Sequence, residues 1–248
     1  MKKIFVAVLL VIFFLFGCCF KQDERHKIQP QFVQSKQQII SNIEDSTVAL
    51  QTIDSQGSMF TYCAGVWISQ HKIITAKHCV EAVTENKPIT NAEIEFRTKN
   101  ELNISEYPVK DSIFPIHKSN VIFVDNSSDI AILLVKDDLT HFTVEINKLH
   151  IFNGQKVHVI GHTAGMLYTY SPGTISQLRI FNEPDKTYKL IQIVGFISIG
   201  NSGGGAFDEA GRLIGICSFI KRSAPNMSFF VSYESINEVI QYNRIKLD

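Results

Sequence analysis

Neither sign of charge is in excess in this chain. Its 24 Lys and Arg stand against 24 Asp and Glu, a formal net charge of zero over 248 residues. Without a basic balance there is no electrostatic footprint for nucleic acid, and no such partner is expected. Internal repeats are missing, and so are low-complexity blocks beyond residues 20 to 44. Histidine is missing after His162, so any nucleophile further along must draw its base from upstream. Long apolar runs are missing too, with one exception at the N-terminus. What remains is rich in glycine, phenylalanine and β-branched residues, and is long enough for one mid-sized domain or a pair of barrels.

The exception is Ile4 to Phe16, which follows Lys2 and Lys3 and ends at Gly17-Cys18. It is short for a membrane-spanning helix and has the layout of a secretory signal, so residues 1–19 are set apart from the fold. Leu15-Phe16-Gly17-Cys18 also resembles a bacterial lipobox, which makes Cys18 the expected lipidation site, with Cys19 one residue on. Residues 20–44 are polar and Gln-rich, read as a flexible tether, with a weak helical turn at 37–43. The domain at 45–248 is then exported across the inner membrane to an oxidising compartment, the cell envelope, and held at the membrane by a lipid or signal anchor. There Cys63 and Cys79 can pair in a disulfide that closes a short loop behind His78. Cys217, inside the apolar run Leu213 to Ile220, reads as a buried small hydrophobe.

Beyond Ser46, short apolar runs alternate with polar or Gly/Pro/Asn-rich turns. They are predicted strands at 48–52, 61–68, 72–75, 92–97, 121–124, 130–135, 156–161, 173–180, 190–195, 204–207, 213–220 and 229–231. That pattern suits an all-β sandwich or barrel rather than βαβ units. Only the C-terminus reads as a helix, with Ser235 and Glu238 spaced as a capping box ahead of Val239 and Ile240.

Three residues carry candidate chemistry. Ser202 sits in Gly200-Asn201-Ser202-Gly203-Gly204, where glycines permit a tight turn that exposes the hydroxyl and aims amide N–H groups at one point. The alternative is a plain glycine-rich surface turn. Two unrelated hydrolase designs share Gly-x-Ser-x-Gly, but one of them places its histidine after the serine, and that order is impossible here. His78, in Thr75-Ala76-Lys77-His78-Cys79, is the candidate base; the alternative is a packed core histidine at a strand end. Asp129 heads the apolar run Asp129-Ile130-Ala131-Ile132-Leu133-Leu134-Val135, where a carboxylate needs a partner. The other histidines are scattered, none at metal-ligand spacing, so neither metal nor cofactor is expected.

These three segments, in this order, resemble the catalytic motifs of the trypsin-like (chymotrypsin-fold) serine proteases. Details around Ser171 to Ser176 and Ile191-Gln192 are similar to the bacterial HtrA/Deg branch. The resemblance covers about residues 46 to 245. It implies two six-stranded antiparallel β-barrels with a C-terminal helix, His78 and Asp129 in the first barrel and Ser202 in the second. It implies a serine endopeptidase acting on protein or peptide substrates: His78 as general base and acid, Asp129 orienting it, Ser202 as nucleophile. The amides of Gly200 and Ser202 would form the oxyanion hole, and Cys63–Cys79 would be the disulfide that staples the histidine loop. Ser218 would support the aspartate, and Ser218, Phe219 and Ile220 would pair with substrate as an added strand. Two rival readings use the same residues: a catalytically silent binding protein on the same shell, and an esterase.

The departures refine the expectation. Asn201 stands where zymogen members carry aspartate, so the site is expected to form without activating cleavage. Gly205 replaces the usual proline and predicts a looser loop. Phe196, six before the serine, occupies the pocket-base position and, with Ile220, favours a small or apolar side chain over Lys or Arg. The stretch after Ser202 is short, so no PDZ domain is expected. Lipidation has a direct test: labelled palmitate should be incorporated by the natural chain and lost in Cys18→Ser, and uptake that survives this change refutes the assignment.

Overall fold

The computed structural model describes residues 34–53, 59–84, 92–99, 115–183, 186–220 and 226–247. The signal, Cys18 and most of the tether lie outside the described residues. Twelve strands close into two antiparallel six-stranded barrels among the residues described. The first contains β1 (Thr47–Ile53), β2 (Met59–Ser69), β3 (Lys72–Ala76), β4 (Glu93–Thr98), β5 (His117–Asp125) and β6 (Ile130–Val135), in the order β1-β2-β3-β6-β5-β4. The second contains β7 (Lys156–Gly161), β8 (Thr169–Glu183), β9 (Lys186–Gly195), β10 (Gly205–Phe207), β11 (Leu213–Ile220) and β12 (Met227–Ser232), in the order β10-β11-β12-β9-β8-β7. Each ring is closed by strand pairing, while β10 pairs β11 only as far as Ile216, so the Ser218–Ile220 stretch is paired with β12 alone.

The strand sequences explain how the barrels meet. Ile130-Ala131-Ile132-Leu133-Leu134-Val135 is apolar throughout rather than alternating, and all but Leu134 are buried. Successive side chains on a strand point to opposite faces. Ala131, Leu133 and Val135 pack with Trp67, Ile73 and Phe96 inside the first barrel. Ile130 and Ile132, with Val66, Ile68 and Ile74, join the cluster that fills the second barrel. The apolar runs of β2, β3 and β6 thus serve two cores at once. Trp67 lies edge-on to Phe96 at 5.7 Å and stacks on His141 at 3.8 Å.

Helices are few. Helix α1 (Lys36–Asp45) is capped by Ser35, whose hydroxyl accepts the Gln38 N–H at 3.2 Å. It buries Ile43 in the second core, and Glu44 pairs with Lys99 of the first barrel region. The compact unit accordingly runs from Ser35 to Asp248. Helix α2 (Lys77–Thr84) carries His78 in its first turn and has no counterpart in the sequence-based reading. Helix α3 (Tyr233–Tyr242) is the expected C-terminal one, but it starts earlier than predicted. Strand β12 runs straight into it through Ser232, so Ser235 is already helical and its Oγ accepts the Lys189 N–H at 3.0 Å. The capping box expected at Ser235 and Glu238 is therefore not what begins this helix.

Gly205 does not loosen its loop. A Cβ there would overlap the ring of Phe207 and lie 3.0 Å from Leu213 Cδ1. The buried Phe207 ring fills the space a proline would need, and Gly204 is fixed on either side by its N–H to Asn201 O (2.9 Å) and its carbonyl to Cys217 N (2.8 Å). Gly205→Ala is expected to destabilise the protein by about 1–3 kcal/mol through overpacking. Combined with Phe207→Leu it should cost less than the sum of the two single changes, measured by urea unfolding; strict additivity would show that the ring is not the obstacle.

Candidate functional site

Asp129 is the hub of the site. It sits on the turn into β6 with φ +56, a left-handed conformation costly for a non-glycine residue. That twist sends its main-chain oxygen to the Lys77 N–H (3.0 Å) and its Oδ1 to the His78 N–H (3.0 Å). These are orphan donors at the start of α2, so the carboxylate caps a helix that lies 51 residues back in the chain. Oδ2 meets His78 Nδ1 at 2.9 Å and accepts from Ser218 Oγ at 2.5 Å. Burial by itself would push the Asp129 carboxyl up. The hydrogen bond and charge of His78, the Ser218 hydroxyl and the His78 backbone N–H together outweigh it, holding the group below its ordinary value of 3.8.

Cys63 in β2 and Cys79 in α2 form a disulfide that ties the His78 turn to the barrel wall. Sulfur and imidazole atoms of Cys63, Cys79 and His78 lie close together, but sulfurs bonded to each other are not thiolate ligands. Cys217 is buried and its thiol is pushed up to about 12, by burial first and by the Asp129 charge second. It is therefore no nucleophile at neutral pH.

Ser202 lies in the turn before β10. Its carbonyl accepts the Ala64 N–H at 2.7 Å, a backbone bond from one barrel to the other. Gly203, at φ +77, is pressed against Ala64 O, Thr75 Oγ1 and Ala76 N, where a Cβ would overlap the first two. The serine turn thus rests on the residues that lead directly into His78. Thr75 Oγ1 in turn donates to Ala64 O at 2.7 Å. Asn201 is buried, its amide donating to Thr163 Oγ1 (2.7 Å) and Ser198 O (3.2 Å). Room for it comes from Gly161, where a Cβ would overlap Asn201 Oδ1. Among the described residues, the N–H groups of Gly200 and Ser202 are given to no protein acceptor.

His78, Asp129, Ser218 and Phe219 line one cleft of about 380 Å³, together with Lys77, Glu81, Asn126 and Tyr188. The last four had no signal in the sequence, because helix α2, the β5–β6 turn and strand β9 bring them together. Lys77 and Glu81 pair at 2.6 Å across one turn of α2. Phe219 stacks on Phe229 at 4.7 Å and extends an aromatic row through Phe181 to Tyr188. Ile220 closes β11 opposite Ser228. Phe196 is 69% exposed, so it forms no enclosed pocket floor; its carbonyl accepts the Ser171 hydroxyl at 2.7 Å.

The profile of the trypsin-like peptidase domain family matches residues 63–216, more than half of the chain. Over 185 residues the chain is 25% identical to Protease Do-like 1, chloroplastic, of Arabidopsis thaliana, covering 71% of this chain and 37% of that protein. It spans about a third of the length of the curated relatives it matches. Among solved structures it is similar to the active form of the Rv3671c protease from M. tuberculosis, with a TM-score of 0.65 at 18% identity over 82% of each chain. It is also similar to the HtrA-type protease AlgW with tripeptide, with a TM-score of 0.65 at 22% identity, over 84% of this chain and 63% of that one.

The Asp129 shift has a measurable consequence. A carboxyl whose folded value is depressed adds stability above its unfolded value, and that stability is lost as pH falls through the folded value. The gap in unfolding free energy between the natural protein and Asp129→Asn should be widest above pH 3.8 and close below it. Urea midpoints from pH 7 to pH 2 measure it; a gap constant to pH 2 would mean Asp129 is not held ionised by its partners.

Proposed function

Because the chain belongs to the trypsin-like peptidase family, on its HtrA-like branch, we propose that it is a serine endopeptidase working through an acyl-enzyme. The observation that carries this reading is the hydrogen-bonded set of His78, Asp129 and Ser218 beside a serine turn with two undonated N–H groups. With Nδ1–H given to Asp129, His78 keeps its Nε2 lone pair as the base. Ser202 Oγ attacks the substrate carbonyl and passes its proton to Nε2. The carbonyl oxygen becomes an oxyanion and accepts from the N–H groups of Gly200 and Ser202. His78 then protonates the departing amine, leaving an ester on Ser202. Water, deprotonated by the same imidazole, hydrolyses the ester and restores the hydroxyl.

The strand Ser218 to Ile220 holds the substrate backbone as an added partner, with Phe219 under the side chains that enter the cleft. Exposed Phe196 offers an apolar surface near the scissile residue, in keeping with an uncharged side chain there. The Asn201 amide is satisfied by neutral groups of the chain itself, which supports a site formed without a freshly cut N-terminus. A lipid on Cys18 would hold this activity at the envelope membrane.

A fluorophosphonate probe tests the reading. The purified protein should be labelled, and Ser202→Ala and His78→Ala should not. Peptide hydrolysis should fall on the order of 10⁴–10⁶-fold in Ser202→Ala. A folded natural protein that takes no label and cleaves no peptide would instead be a binding protein on a protease shell.

A further inference from the structure

The turn between β7 and β8 holds a histidine that the catalytic reading leaves unused. His162 is fully buried, and both ring nitrogens are engaged. Nε2–H donates to the carbonyl of Val48 in β1 at 3.1 Å, and Nδ1 accepts the Tyr168 N–H at 3.1 Å. These two bonds fix one tautomer. Burial keeps the ring neutral, with its pKa lowered to about 4 despite the opposing pull of the Val48 bond. The imidazole stands edge-on to Tyr168 at 5.0 Å, and the Tyr168 hydroxyl donates to Arg97 O in β4 at 3.2 Å. A turn of the second barrel is thereby fastened to two neighbouring strands of the first.

The same turn is the bed on which the serine loop lies. Ala164 N–H donates to Ile199 O at 2.8 Å. Gly200 rests so closely on the His162 carbonyl that a Cβ would overlap it. Asn201 donates its amide to Thr163 Oγ1 at 2.7 Å. Residues 199, 200 and 201 each lean on a residue of the 162–164 turn. If that turn shifts, the Gly200 and Ser202 N–H groups shift with it.

We infer that His162 is a positioning residue: its inter-barrel hydrogen bond to Val48 sets the 162–164 turn, and through it the alignment of the two N–H groups that receive the oxyanion. The inference rests on the proposed acyl-enzyme reading. Misalignment acts on the transition state rather than on ground-state binding, so it lowers kcat and leaves KM nearly unchanged. Sub-ångström to 1 Å errors at such donors are worth about 10–100-fold in rate.

The test is steady-state hydrolysis of a fluorogenic peptide, with hydrogen exchange at residues 199–203, on the natural protein, His162→Ala, His162→Asn and His162→Gln. A glutamine amide reaches the Nε2 position and can donate to Val48; an asparagine amide reaches only the Nδ1 position. The expected result is a kcat about 10–100-fold lower in the alanine and asparagine variants, KM within about threefold, faster exchange at 199–203, and substantial recovery in glutamine. Should His162→Ala fail to fold, the asparagine–glutamine contrast carries the same comparison. Unchanged kcat with only a lower unfolding midpoint, or equal loss in asparagine and glutamine, overturns the inference. An inactive natural protein would overturn the acyl-enzyme reading, while exchange at 199–203 in the variants would still decide whether His162 positions the loop.

Discussion

The molecule depends on how closely two barrels approach at Gly203. A glycine with φ +77 lies against the carbonyl of Ala64 and the hydroxyl of Thr75, and the adjacent Ser202 carbonyl accepts the Ala64 N–H. Any side chain at this point would force the barrels apart. With it absent, the serine turn of one barrel sits on the strand that runs into the histidine of the other. The doubly buried strands β2, β3 and β6 supply the apolar surface that holds this approach, since their alternate faces fill both cores.

Asp129 is the second joint, and it has two duties. Its backbone and one carboxylate oxygen satisfy the first N–H groups of α2, while the other oxygen orients His78 and accepts from Ser218. Desolvation alone would push this carboxyl's pKa up. Here the donors win, and the charge that caps the helix also fixes the imidazole tautomer. Folding and the proposed chemistry share one side chain, reached from both barrels: His78 from the first, Ser218 from the second.

The strands were legible in the sequence because each contains a short apolar run, a pattern that needs no distant partner, but β5 (His117–Asp125) and β8 (Thr169–Glu183) extend through polar residues well beyond the runs that marked them. Helix α2 was not legible. It has 8 residues and no local cap, since its cap comes from Asp129. The Ser235–Glu238 spacing misled for the opposite reason. It looks like a local start signal, yet β12 delivers the chain into the helix earlier, and Ser235 is used by Lys189. Gly205 suggested looseness in one dimension, while Phe207 two residues on occupies the space in three.

The sequence alone determined the all-β class, the strand positions and the order of histidine, aspartate and serine, because these follow from local periodicity and chain order. Tertiary structure decided what each candidate touches. It brought Asn126 and Tyr188 to the cleft, left Phe196 exposed, seated Asn201 on Thr163, and turned a scattered histidine into a bridge between barrels. The reason is separation along the chain. His162 and Val48 lie 114 residues apart and Ser218 and Asp129 lie 89 apart, and contacts at that range exist only once both barrels have closed.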